Sequence, residues 1–308
     1  MNSQHFLVLL HLYLILVYAD PCKNLSSTSL KRVRRLSYGK FNDEALRLSK
    51  YVVSVRTRSA SVYFGDNHFC SGVILTPLFA LTSAHCLIDD RRVVYDSRNL
   101  VVVAGSVNRF KYIPGRSFLA PVDKIILPDN FTIYNKQKMA LLKLTKPLPR
   151  SDKHISLAKL PVIPPKAGLK CLVGGWGQMF DGGPRTAKLL YIDVTLISAK
   201  ECDKQLNVKE IDFLCAIDPD PFTHQNPCIG DLGAPLMHDD VVYGIVSLLM
   251  GCGKGDWPSV YVDVYASVKW IEGKIISNGG TTLSVPIKME FFTGSFLLFV
   301  IIYKICVN

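Results

Sequence analysis

The chain has 308 residues, 49% of them hydrophobic and 20% charged, and a formal net charge of +11. That length exceeds one average domain, but two-barrel folds of about 200 to 250 residues count as single domains, which leaves room for processed ends. Nine cysteines without a Cys-x-x-Cys pair suit disulfides in an oxidising compartment and argue against a metal site. Lys31, Arg32, Arg34 and Arg35 hold part of the positive excess and the rest is scattered, so it reads as a solvated surface, with a polyanion-binding face as the alternative; no stretch resembles a nucleic-acid module.

At the amino end an apolar run from Phe6 to Tyr18 leads to Val17-Tyr18-Ala19. This places small or β-branched residues where a signal peptidase reads, and predicts a signal peptide over 1–19 with cleavage after Ala19. An uncleaved anchor is the alternative, for which the run is short. On the secretory route Asn24-Leu25-Ser26 and Asn130-Phe131-Thr132 are glycosylation sequons. Residues 20–35 read as a pro-segment or linker, since the stretch to Lys40 is polar and exposed in character. Within it Arg32-Val33-Arg34-Arg35 fits a proprotein-convertase site cut after Arg35.

Runs of β-branched and aromatic residues predict strands at Tyr51–Val55, Phe69–Ile74, Phe79–Cys86 and Asn99–Ala104. Pro147, Pro149, Pro161, Pro164 and Pro165 mark an extended connection. Near the end, Val268, Ile271 and Ile275 recur at the spacing of one helical face within Tyr265–Ile276. Between these, Pro227-Cys228-Ile229-Gly230-Asp231-Leu232-Gly233-Ala234-Pro235 is a tight bend. Its backbone N–H groups point into one cavity, of the kind that holds a carbonyl oxygen as it becomes an oxyanion.

Five blocks in order carry a family resemblance. Leu81-Thr82-Ser83-Ala84-His85-Cys86 resembles Leu-Thr-Ala-Ala-His-Cys. The segment Tyr134–Leu144 is similar to Asn-Asp-Ile-Ala-Leu-Leu-Lys-Leu, Lys170–Gly177 to Cys-Leu-X-X-Gly-Trp-Gly, and Phe213-Leu214-Cys215-Ala216 to a further cysteine block. The Pro227–Pro235 bend resembles Gly-Asp-Ser-Gly-Gly-Pro. These are motifs of the trypsin/chymotrypsin-like serine proteases, and the resemblance covers roughly Tyr51 to Asn278. It implies an all-β fold of two packed six-stranded antiparallel barrels with a C-terminal helix, spanning 36–278.

Carried over residue by residue, the resemblance makes His85 the catalytic base. It puts Lys138 in place of the aspartate that orients the base, and Leu232 in place of the nucleophilic serine. A leucine has no lone pair to attack with, and a cation opposes the imidazolium that a carboxylate would favour. No carboxylate stands between Asn130 and Asp152 to take over that role. The substrate pocket maps to Asn226 at its floor, Ser247-Leu248-Leu249 at its wall, and Ser259, with Gly230 and Gly233 as relics of the oxyanion turn. The resemblance also implies the disulfides Cys70–Cys86, Cys202–Cys215 and Cys228–Cys252. Cys171 has His238 at its family partner's position; with Cys306 in the tail, Cys22–Cys171 is the pairing expected. Cleavage after Arg35 would make Leu36 a new amino terminus, whose ammonium in the family sits beside the aspartate matched by Asp231.

The tail 279–308 runs from small residues through a partly polar spacer to an apolar stretch from Phe291. That order matches a glycosylphosphatidylinositol signal, with a short membrane span as the alternative. The expectation is a non-catalytic protease homologue, secreted or on the outer cell surface, needing no metal or cofactor. Its partners are extracellular proteins: an active serine protease, its substrate or its inhibitor. The alternatives are an adhesion or receptor protein on the same scaffold, and an enzyme using another nucleophile such as Ser83.

Overall fold

The structure, a computed structural model, describes residues 39–281 apart from 90, 130, 133–137, 150–152, 208–212, 221, 224 and 253–256. The first barrel closes in the order β1 (Val52–Thr57), β2 (His68–Thr76), β3 (Phe79–Ser83), β6 (Met139–Leu144), β5 (Phe118–Ile126) and β4 (Leu100–Ala104). The second closes as β10 (Pro235–His238), β11 (Val241–Leu248), β12 (Ser259–Asp263), β9 (Phe213–Ile217), β8 (Leu190–Leu196) and β7 (Lys170–Gly175). All pairings within them are antiparallel, so closure removes sheet edges.

Among the described residues three short α-helices complete the fold. Helix α1 (Asp43–Leu48) follows Asn42, whose side chain accepts from the Glu44 and Ala45 amides, and it buries Ala45 and Leu48. Helix α2 (Ala199–Leu206) starts at Ser198 and ends on Asn207 in the left-handed conformation. Helix α3 (Val268–Ser277) buries Ile271 and Ile275, two of the three residues on the face predicted for it.

One hydrophobic cluster joins the barrels, with Val52, Phe79, Leu81 and Leu141 from the first and Tyr191, Met237, Ile245 and Val262 from the second. Trp176 is fully buried in it and donates its indole N–H to the Val107 carbonyl at 3.1 Å. Burying an aromatic ring of that size between the barrels fixes their relative position. The extended stretch predicted through Cys86 ends earlier: β3 stops at Ser83, and Ala84–Leu87 form a 3-10 turn. Met139 is the last residue paired with β3, opposite Ser83, so the chain is free to tighten there.

Candidate functional site

The site lies where the 3-10 turn of the first barrel meets the Pro227–Pro235 bend of the second. Cys70 on β2 bonds to Cys86 with Cα atoms 6.1 Å apart, tethering the turn that carries His85. The disulfides Cys202–Cys215 and Cys228–Cys252 have Cα separations of 6.0 and 4.9 Å. Cys171 is buried and has no disulfide partner among the described residues, and burial pushes the pKa of its thiol up to about 12; Cys22, its expected partner, and Cys306 lie outside the described residues, as do Asn24, Asn130, Ala19, Arg35 and Leu36.

Lys138 stands one residue before β6, and its carbonyl accepts from the Ala84 amide at 2.8 Å and from the Ser83 hydroxyl at 3.4 Å. This places it against the base of His85. The imidazole is half-buried, its Nδ1 is enclosed, and that atom has no hydrogen-bond partner among the described residues. Burial first, and the Lys138 ammonium second, hold its pKa below the ordinary value. At neutral pH the ring is therefore uncharged, and a protonated state is opposed on both counts. Ser83 is fully buried on β3.

Leu232 is half-buried and packs against two hydrophobic clusters, one holding Ala84 and Cys86 of the first barrel and the other Ala234 and Val246 of the second. The leucine thus fills the seam between them. Its carbonyl takes a 2.8 Å hydrogen bond from the Ser71 amide. Gly233 (φ +84°) has no alternative, because a Cβ there would collide with the Ser71 carbonyl. Nearby carbonyls are occupied: Ile229 accepts from the Gln178 amide, Asp231 from the Ala234 amide, and Gly230 from His68 Nε2 and Ser71 Oγ.

Asp231 keeps its carboxyl enclosed, accepting from the Gly177 amide at 2.7 Å and the Cys228 amide at 3.0 Å. Burial outweighs these bonds and pushes its pKa up to about 6. Beside it is a cavity of ≈ 30 Å³ bounded by Gly39, Gly177, Gln178, Tyr191 and Asn226, among others, enough for about one water.

The pocket residues gather on the second barrel. Asn226 is 6% exposed and its Nδ2 is 3.5 Å from the Trp257 carbonyl. Ser247 is buried. Ser259 is too, and its hydroxyl donates to the Ala216 carbonyl and accepts from Tyr261. Leu249 packs on the cluster that also receives Leu232, while Leu248 is exposed. Branched apolar side chains therefore occupy both the seam and the wall, and Asn226 brings no negative charge to the floor. Sequence reasoning overlooked His68, which is 1% exposed and touches Trp176 edge-on at 5.7 Å. A lone histidine at the start of a strand carries no signal until its partners are known. Among the described residues no His, Cys, Asp and Glu side chains converge as a metal-holding group.

Two closed six-stranded barrels, with a disulfide-tethered histidine turn facing a Gly-Asp-x-Gly bend, define a trypsin-type scaffold. The chain belongs to the Trypsin family, which matches residues 43–271. Kallikrein 1-related peptidase b3 of Mus musculus is 33% identical over 226 residues, covering 71% of this chain and 84% of that protein. Trypsin-1 of Astacus astacus is 32% identical over 218 residues, covering 68% and 89%. Among solved structures, human heparin binding protein superposes with a TM-score of 0.64 at 21% identity, covering 79% of this chain and 97% of that one.

Proposed function

We propose that this chain is a catalytically inactive member of the trypsin family. In this reading it acts outside the cell as a binding module, and its partner is an active serine protease or such a protease's substrate or inhibitor. Leu232 carries the reading: it stands at the nucleophile's position and is packed into both barrels. Lys138 beside a His85 Nδ1 that has no partner among the described residues supports it, since restoring a nucleophile alone would leave the base without its orienting acid. Leu249 in the pocket wall supports it from the side of substrate binding. Loss of triad members costs roughly 10⁴ to 10⁶ in turnover, which leaves a scaffold rather than a protease.

The disulfides suit an oxidising compartment, in keeping with secretion. Attachment to the outer membrane face through residues 279–308 is part of the proposal; that tail is almost wholly outside the described residues, among which no helix is long and apolar enough to cross a membrane. The test is turnover by the purified mature protein on a diverse peptide library. The reading expects no hydrolysis that depends on His85. Cleavage abolished by His85→Ala would overturn it.

A further inference from the structure

The described chain meets the second barrel at Lys40, against β8. Lys40 and Tyr191 exchange both backbone bonds, N–H to carbonyl at 2.6 Å one way and 3.1 Å the other, as an isolated antiparallel bridge. An antiparallel ladder turns every second residue of a strand to the same side. The backbone N–H and carbonyl of Asp193 therefore face the side that Lys40 occupies. No described strand pairs with them there: β7 lies on the other side of β8, and β9 joins the near side only at Thr195 and Leu196. An unpaired stretch of strand edge is a template for another extended segment.

Beside that edge opens a groove of ≈ 320 Å³, bordered by Asp193, Asp218, Asp220 and Gln225 and by Lys40 and Lys170. Lys40 pairs with Asp193 at 2.6 Å. Asp218 and Asp220 form no ion pair among the described residues. Their carboxylates accept from Thr223 Oγ1 and from the amides of Asp220, Phe222 and Gln225, which leaves about half of their acceptor positions unused. Gln225, 3% exposed, gives its Nε2 to Thr223 Oγ1 at 2.9 Å, while its Oε1 has no donor among the described residues. The groove thus borders two carboxylates without a cation and an amide oxygen still unmet.

The segment that leads into Lys40 fits both the edge and the groove. Continuing the Lys40–Tyr191 register by two residues puts Tyr38 opposite Asp193. Two residues more would reach Thr195, but β9 holds that place through Ile217, so the chain has to leave the edge there, beside Asp218. Next along it come Arg35, Arg34, Arg32 and Lys31, and residues 20–38 hold only Asp20 as an acid. We propose that residues 31–38 of this chain occupy the groove, with Ser37 and Tyr38 extending the Lys40 bridge along β8 and the 31–35 run pairing with Asp218 and Asp220. Held in this way, the Arg35–Leu36 bond is withheld from a processing protease until the run leaves the two aspartates. Exposed ion pairs are weak one by one and screened by salt, so the latch opens as ionic strength rises.

The direct test is zero-length carbodiimide coupling of the purified uncut protein, mixed from isotopically light and heavy chains, with the joined peptides read by mass spectrometry. The proposal expects the Lys31 amine coupled to Asp218 or Asp220 within one chain. No coupling of Lys31, or coupling only to carboxylates elsewhere, would overturn it. Pairs joining a light chain to a heavy one would overturn it too and give the groove to a second copy. In parallel, a protease that cuts after paired arginines should cleave after Arg35 about fivefold faster at low salt when Asp218→Asn and Asp220→Asn are combined, and the difference should vanish at high salt. Equal rates at low salt would contradict the proposal. The coupling uses the unaltered protein, so it decides the matter even where the variant does not fold.

Discussion

Replacing Leu232 by serine separates the lost nucleophile from the lost acid. The isobutyl group is half-buried against two clusters, so its removal is expected to cost about 1–2 kcal/mol, below the ~2–5 kcal/mol of a fully buried leucine truncation. A domain of ordinary stability, about 5–15 kcal/mol, remains folded. The new hydroxyl would face an imidazole whose Nδ1 has no acceptor and whose protonation Lys138 opposes. Without the orienting carboxylate, turnover in this type of site falls by about 10⁴. Leu232→Ser alone should therefore remain at or below roughly a ten-thousandth of what Leu232→Ser with Lys138→Asp achieves. The assay is the rate of covalent labelling by a fluorophosphonate, with hydrolysis of a small activated ester in parallel, because neither requires a long side chain to enter past Leu249. The same Lys138→Asp change should raise the His85 pKa, read by NMR titration. Equal labelling of the single and double variants would refute the reasoning, because some other group would then be orienting His85.

Three further outcomes follow from the geometry. Asp231 has its folded-state pKa raised from 3.8 to about 6, so the stability it contributes is complete below pH 4 and is lost as pH rises to about 6. The loss amounts to at most about 3 kcal/mol, and denaturant titrations across pH 4–7 should show it in the unaltered protein and not in Asp231→Asn. His238 lies opposite Cys171 when the β10–β7 register of Met237 with Leu172 is extended by one residue. His238→Cys should therefore close a disulfide and stabilise the fold by about 2–4 kcal/mol; a Cys171 thiol still titratable in non-reducing denaturant would show that it had not formed. Ser54→Ala removes the hydroxyl between Arg56 and His68 and should lower stability by about 1–3 kcal/mol, with faster amide exchange at Gly230 and Leu232. An unchanged exchange rate there would show that the bend does not depend on these bonds.

The parts of the fold legible in the sequence are those set by short-range pattern. The β-branched runs gave β1, β2 and β4 to within a few residues, and the Val268–Ile271–Ile275 spacing located α3. The bend could be read because Gly230 and Gly233 both take positive φ, where only glycine is unstrained. Helix α1 was hidden since six residues are too few for a periodicity, and its start rests on one side-chain cap from Asn42. The 3-10 turn at His85 depends on where the β3–β6 pairing stops, which is set across 55 residues of chain by the contact of Ser83 with Lys138. The Arg56, Arg109 and Arg185 cluster was invisible for the same reason. In the sequence these are three separate basic residues of the kind usually found on a solvated surface, and only the folded barrels bury Arg56 and Arg109 and half-bury Arg185 beside them.

The central claim is tested most directly by photo-crosslinking from positions around Leu232, such as Ile229 and Leu248, both exposed, on the cells that secrete the protein. The account predicts covalent capture of an extracellular serine protease, its substrate or its inhibitor, lost when the crosslinker is kept at one of these two positions and the other is changed to glutamate. Capture only of membrane or matrix proteins, with no member of a protease system among them, would contradict it and point to adhesion on a protease scaffold.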